Sequence, residues 1–330
     1  MTSFRLPKFF NPYPSRINLH REIASKNALR WACENGLING RSALEQAQSS
    51  HFSALAALAY PEANSADLAL INCWIIWLFM FDDQMDACRL GQHTDDCRRV
   101  VQRILRLMHP FPSRQDVSFA DNAIELAWLD FWGRISEGMS LTMQQRFLED
   151  VRGYLLGTQW EIDKRASHQI PDLLSYIDGR RTTGAVATLF DCIEYTSHSE
   201  LPPSFCNSAL FSAFRNAAND VVTMTNDIFS YDKEIANGEV NNCVVVCQQL
   251  LKRPLQEAVE FVNNLQTSRI HLFLRTKNDL DAFFETTALL ETERKKVLHY
   301  VEGMQDWMRG NLEWSLATRR YHDRNGARLY

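Results

Sequence analysis

Apolar residues recur along this chain at spacings of three and four, and no stretch sustains the two-residue alternation of a half-buried strand. No Asn-Gly or Asp-Gly pair joins two apolar runs as a hairpin would. Together these features predict an all-α fold. The spacing predicts helices over 18–36, 41–58, 65–88, 94–108, 118–137, 141–165, 170–198, 204–237, 241–251, 254–285 and 289–320. Breaks fall at Asn11-Pro12-Tyr13-Pro14, Gly36 to Gly40, His109-Pro110-Phe111-Pro112, Leu201-Pro202-Pro203 and Gly238 to Asn242.

No repeat of fixed period argues for a solenoid. With 330 residues, 45% of them hydrophobic, the chain can bury a large core, and no Gly/Ser/Pro-rich linker divides it. The expectation is a single-domain helical bundle around a central cavity over 1–330, with 1–16 as an N-terminal extended segment and 322–330 as a C-terminal tail.

A net charge of −5 argues against a nucleic-acid partner, which asks for a basic face. Cys33, Cys73, Cys88, Cys97, Cys192, Cys206, Cys243 and Cys247 form no C-x-x-C pair, so buried free thiols in a reducing cytosol are expected. Met1 to Pro14 lacks the apolar core of a secretory signal. The most apolar stretch, Leu68 to Phe81, is shorter than a bilayer span and contains Asn72. A cytoplasmic protein without membrane insertion follows, as a monomer or homodimer.

Trp74 to Phe81 is apolar on every side, which marks a helix surrounded by others, and it runs directly into Asp82-Asp83-Gln84-Met85-Asp86. Asp82 and Asp86 share a helix face with Cβ atoms about 5–6 Å apart. Crowded carboxylates repel one another unless a divalent cation joins them, and hard Mg²⁺ takes carboxylate, water and phosphate oxygens. A solvated acidic helix end would read the same way.

A second cluster, Asn226-Asp227-Ile228-Phe229-Ser230-Tyr231-Asp232-Lys233-Glu234, sets Asn226, Ser230 and Glu234 on one face at successive turns. Amide, hydroxyl and carboxylate oxygens are all hard donors suited to the same cation. Alone, this is also the polar face of an amphipathic helix.

The two clusters together resemble the bacterial-type class I terpene synthases, whose hallmarks are an aspartate-rich motif and an N-D-x-x-S-x-x-x-E triad. Both motifs match without a gap. The resemblance implies a magnesium-dependent cyclase holding three Mg²⁺ ions through Asp82, Asp86, Asn226, Ser230 and Glu234. It implies a diphosphate-sensing arginine at Arg180, 46 residues before Asn226, with a helix break at Gly184. Lys233 and the pair Arg320-Tyr321 would complete the diphosphate site with Arg180 and Asn226. Pro14-Ser15-Arg16-Ile17-Asn18 is similar to the family's N-terminal stretch, so the likeness spans almost the whole chain.

By the same resemblance, Asp82, Arg180, Gly184, Asn226, Ser230, Glu234, Arg320 and Tyr321 carry catalysis. Phe79, Phe81, Trp307 and Trp314, with Phe190, are candidates to line the pocket. Aromatic faces steady a carbocation, although large aromatics at helical spacing also serve as plain core. The substrate class is a linear prenyl diphosphate, farnesyl diphosphate before the geranyl and geranylgeranyl homologues. A chain-elongating prenyltransferase would repeat an aspartate-rich motif where Asn226, Ser230 and Glu234 stand. A non-catalytic helical binding protein is a further alternative, and a di-iron bundle lacks its Glu-x-x-His pairs here.

Overall fold

A helix that is apolar all round has to be surrounded. Trp74, Ile76, Trp77 and Phe81 are each fully buried in the computed structural model, which describes residues 4–88, 94–109, 118–167 and 169–321. Among these residues all regular structure is helical and there is no strand. The helices are α1 Arg21–Glu34, α2 Gly40–Ser49, α3 Phe52–Ala59, α4 Ser65–Cys88, α5 Thr94–Leu107, α6 Ala123–Ser136, α7 Leu141–Ala166 and α8 Leu173–Thr183. They continue as α9 Val186–Thr196, α10 Pro203–Cys206, α11 Ala209–Ala236, α12 Cys243–Leu250, α13 Leu255–Asn278, α14 Leu280–Thr287 and α15 Glu291–Ala317, before a 3₁₀ turn at Arg319–Tyr321.

Four predicted helices are each split in two. The 41–58 helix breaks where His51 turns to φ 51°, and the 170–198 helix breaks where Ala185 turns to φ 56°. Ser208 caps α11 by accepting from Phe211 N at 3.1 Å, which divides 204–237, and Asp279 divides 254–285. The last helix stops at Ala317 because Thr318 turns extended and donates its hydroxyl to Ser50 O at 2.8 Å.

Helix α4 is the central member. Trp74 stacks on Trp77 at 5.0 Å and on Phe131 of α6 at 4.9 Å. Both indole N–H groups are satisfied, Trp74 by Thr188 Oγ1 and Trp77 by Ile124 O, each at 2.9 Å. Buried indoles with partners hold their rings in one place, so the helix end bearing Asp82 is fixed. Ser65–Met85 covers 21 residues at mean hydropathy 1.4 and so reaches the length and composition of a bilayer span, longer than Leu68 to Phe81 suggests. Here 72% of its apolar window lies buried inside the protein, and it serves as the core helix.

Helix α11 lies against α13 and α15, while α4 packs along α1 and α15 along α3. The segment before α1 runs without helix across this framework from Phe4 onward. Phe4 packs edge-on to Tyr231 at 5.9 Å and Phe9 stacks on Phe229 at 5.5 Å, both on the back of the triad helix. Arg16 of the Pro-Ser-Arg stretch reaches Asp306 at 3.2 Å and pairs with Glu62. These contacts close the bundle around one cavity.

Candidate active site

The cavity occupies about 1080 Å³ including its open mouth, and its lining changes from apolar to polar along two helices at once. On α4 the wall passes through Ile75, Leu78 and Phe79 to Asp82. On α11 it passes through Val222 and Thr223 to Asn226, Ser230, Lys233 and Glu234. Both polar sets stand near the C-terminal ends of their helices, where the helix dipole favours positive charge. The structure therefore brings the two sequence clusters to one mouth.

Protein cations already sit on these oxygens. Arg320 donates to Asp83 Oδ1 at 2.7 Å and Oδ2 at 3.1 Å, with Asp82 Oδ2 at 3.5 Å, and Lys233 Nζ lies 3.5 Å from Asp83 Oδ1. Burial and the neighbouring Arg320 pull the Lys233 ammonium below its usual range. Asp86 belongs to α4, but its side chain lies outside the described residues, so its place at the site stays a proposal.

On the triad helix, Arg180 donates through Nη2 to Asn226 Oδ1 and through Nε to Asp227 Oδ1, each at 3.0 Å. Asn226 Nδ2 in turn donates to the Tyr321 hydroxyl at 2.7 Å, and Ser230 Oγ donates to Asn226 O at 2.8 Å. Asn242 Nδ2 donates to Glu234 Oε2 at 2.9 Å and to Asp227 O at 2.8 Å. Asp227 is fully buried and is held by the Tyr176 hydroxyl, by Cys243 N at 3.0 Å and by Arg180. It anchors Arg180 rather than facing the cavity.

The donor set fits a divalent cation. Among the described residues no three His, Cys, Asp or Glu side chains gather as a metal site. The oxygens here are instead an amide, a hydroxyl and carboxylates from two helices, a hard mixture that leaves room for water and phosphate. Burial and the charge of Asp227 push the Glu234 carboxyl up, so positive charge placed against it is favoured. Guanidinium groups on Asn226 and Asp83 mark where that charge is wanted.

Phe79 stacks on Phe52 at 4.3 Å and leans on Trp314 at 5.5 Å, with the Arg320 guanidinium 4.7 Å above its ring. Trp307 and Trp314 also line the cavity. Trp314 Nε1 donates to Ser50 O and His51 O, carbonyls that the α2–α3 break leaves available. Tyr321 meets Trp314 edge-on at 5.8 Å, reached through the turn after Thr318 rather than along a continuous helix.

Phe81, expected on the cavity wall, lies in the core instead. It stands two residues beyond Phe79, on the other side of α4, between Trp77 at 5.1 Å and Tyr154 at 5.7 Å. Phe190 is likewise fully buried, and its neighbour Leu189 lines the cavity. Gly184 sits at the expected break for a different reason. Its own φ is −77°, and Ala185 makes the left-handed turn. A Cβ on Gly184 would stand 2.7 Å from Thr223 Cγ2, so glycine lets α8 approach α11.

Glu161, Glu239, Asn241, Tyr154 and Asn311 also line the cavity. No motif in the chain marks them. The turn at Gly238 to Asn242 was legible as punctuation, yet nothing there indicates that Glu239 Oε1 accepts from Val240 N and Asn241 N at 2.8 Å.

The family described as terpene synthase family 2, C-terminal metal binding, matches residues 73–271. The chain belongs to the terpene synthase family. The matched segment holds Asp82, Arg180 and the Asn226 triad, while Arg320 and Tyr321 lie beyond it. This terpene synthase is 32% identical over 312 residues to pristinol synthase of Streptomyces pristinaespiralis, covering 94% of this chain and 84% of the relative. It is 31% identical to (+)-T-muurolol synthase ((2E,6E)-farnesyl diphosphate cyclizing) of Roseiflexus castenholzii, covering 94% and 92%. The crystal structure of germacradien-4-ol synthase from Streptomyces citricolor superposes with a TM-score of 0.83 at 26% identity, covering 94% of this chain and 99% of that one. The fold is that of the class I terpene synthases, and the family is a metal-binding one.

Proposed function

We propose that this terpene synthase ionises farnesyl diphosphate and cyclises the resulting cation to a sesquiterpene hydrocarbon or alcohol, releasing diphosphate. The carrying observation is that Asp82, Asn226, Ser230, Lys233, Glu234, Arg180 and Arg320, from four separate elements, line one cavity together with the apolar side chains of Leu55, Ile75, Leu78, Phe79, Val186 and Leu189. Relatives named for cyclising farnesyl diphosphate support the chain length of the substrate. Residues 1–330 are read as one catalytic unit, cytoplasmic and a monomer or homodimer.

Three Mg²⁺ ions held by Asp82, Asp86, Asn226, Ser230 and Glu234 would stabilise negative charge on the leaving diphosphate. Arg180, Lys233 and Arg320 bind that anion, the two guanidiniums through paired donors and the ammonium as a point charge. Arg320 and Tyr321, from the 3₁₀ turn after α15, cover the mouth and exclude water before the allylic C–O bond breaks. Phe79, Trp307 and Trp314 face the cation, each aromatic face contributing about 0.5–2 kcal/mol when desolvated. The apolar wall of Leu55, Ile75, Leu78, Val186 and Leu189 sets how the chain folds on itself. The final proton passes to the diphosphate, or a retained water adds to the cation.

Incubation with geranyl, farnesyl or geranylgeranyl diphosphate and Mg²⁺, followed by gas chromatography, tests this reading. A cyclic product from farnesyl diphosphate alone is expected. Turnover that needs isopentenyl diphosphate, or none with any of the three, would overturn it.

A further inference from the structure

Two consecutive arginines at the end of α8 grip the same helix at two levels. Arg180 bonds Asn226 and Asp227, whereas Arg181 forks onto Asp220, with Nε 2.7 Å from Oδ1 and Nη2 2.9 Å from Oδ2. Asp220 precedes Asn226 by six residues, about 9 Å along the axis. Asp220 is 2% exposed, and Arg269 of α13 brings a second guanidinium 3.1 Å from its Oδ2. The adjacent Asn219 donates Nδ2 to Arg181 O at 2.8 Å, satisfying a carbonyl in the last turn of α8. Beyond the break, α9 is tied to α11 as well, through Arg215 donating to Ala187 O at 3.0 Å. The chain is thus fastened to α11 on both sides of Thr183, Gly184 and Ala185, which line the cavity.

We infer that Arg181 and Asp220 form a positioning pair that holds the turn carrying Arg180 on α11 while Arg180 exchanges Asn226 for the diphosphate. The inference rests on the proposed function. Arg180 now occupies Asn226 Oδ1, an oxygen that the metal-binding reading requires, so Arg180 has to leave it as the ligand arrives. With the fork on Asp220 in place, only the side chain moves. Without it, the end of α8 follows Arg180 and the cavity wall at Thr183–Ala185 opens to water. The allylic cation then takes up water early, forming a C–O bond and losing a proton to the diphosphate, and leaves as an acyclic alcohol.

Arg181→Gln and Asp220→Asn, made separately with Arg181→Lys as the conservative partner, test this. The measurements are kcat and KM with farnesyl diphosphate and Mg²⁺, the acyclic fraction of the product, and amide hydrogen exchange of residues 180–186 in ligand-free protein. Expected for Arg181→Gln is a kcat lower by about tenfold to a hundredfold with little change in KM, as for a small misplacement of a reacting group. The acyclic fraction rises and exchange at 180–186 accelerates. Arg181→Lys restores part of each, since one ammonium cannot fork across two carboxylate oxygens. Folded Arg181→Gln with kcat and product partition within about twofold of the parent would overturn the inference. So would losses that only track the amount of folded protein. If the parent turns over no prenyl diphosphate, the proposed function fails, and the exchange rates still decide whether the pair holds the turn.

Discussion

Arg320 and Asp83 form a two-pronged ion pair, 2.7 and 3.1 Å, that joins the 3₁₀ turn after α15 to the aspartate-rich end of α4. The guanidinium is 8% exposed and rests on the Phe79 ring, so one side chain touches both the charged mouth and the aromatic wall. Charge, fork and aromatic contact coincide in this residue.

Replacement of Arg320 by Ala is expected to lower kcat by about 10²–10³, the range for removal of one preorganised donor to a developing anion. Arg320→Lys keeps the charge without the fork and should recover only part of that loss. Steady-state kinetics with farnesyl diphosphate and Mg²⁺ decide it. Activity of Arg320→Ala close to that of the parent would remove the residue from the diphosphate site.

Asp82→Ala and Asn226→Ala should each abolish turnover while the far-ultraviolet circular dichroism spectrum and melting temperature stay near the parent values. Asn226 joins Arg180 to Tyr321 at 3.0 and 2.7 Å, so its loss removes a proposed metal donor and releases both partners. A partial variant, Ser230→Ala, should raise the Mg²⁺ concentration needed for half-maximal rate. An unchanged Mg²⁺ requirement would refute that ligand.

Gly184→Ala should cost about 1–3 kcal/mol of stability, the usual range for overpacking, because the new methyl meets Thr223 Cγ2 at 2.7 Å. Thr223→Ser removes that methyl and should return a large part of the loss in the double variant. Chemical denaturation of the four proteins measures the coupling. Additive losses would show that the close approach of α8 to α11 is not what requires glycine.

Burial, opposed by Arg16 and reinforced by Glu62 and Glu302, raises the Asp306 carboxyl from 3.8 to about 7. Between those values the folded protein holds a proton that the unfolded chain has released. The associated stability is therefore complete below about pH 4 and lost as pH rises through about 7. Asp306→Asn should flatten the fall in melting temperature between about pH 4 and 7. An unchanged slope would show that Arg16 keeps Asp306 ionised throughout.

What was legible in the sequence has a physical pattern. Asn226, Ser230 and Glu234 could be placed together because helix periodicity states which residues share a face, whereas their meeting with Asp82 followed only from the family resemblance. Phe79 shares the helix stripe of Asp82 and Asp86 and was favoured for that reason, but a run that is apolar on every side gave no ground to take Phe81 off the cavity wall. The helix break at His51 was hidden because this residue takes positive φ without the glycine that usually announces it, and periodicity ran the 170–198 helix through Ala185, where only the family resemblance marked a break, at Gly184. Glu161, Glu239 and Asn241 reach the cavity through tertiary packing of α7 and the turn before α12, for which no local spacing exists. The reason for Gly184 was equally hidden, since the methyl it avoids belongs to another helix.

Anomalous diffraction from crystals grown with Mn²⁺ in place of Mg²⁺ and with inorganic diphosphate tests the convergence of the two motif helices most directly. Expected are metal peaks between Asp82 of α4 and the Asn226, Ser230 and Glu234 face of α11, around one diphosphate contacted by Arg180, Lys233 and Arg320. Peaks confined to surface carboxylates, with Arg180 still on Asn226 and Arg320 still on Asp83, would contradict the assignment.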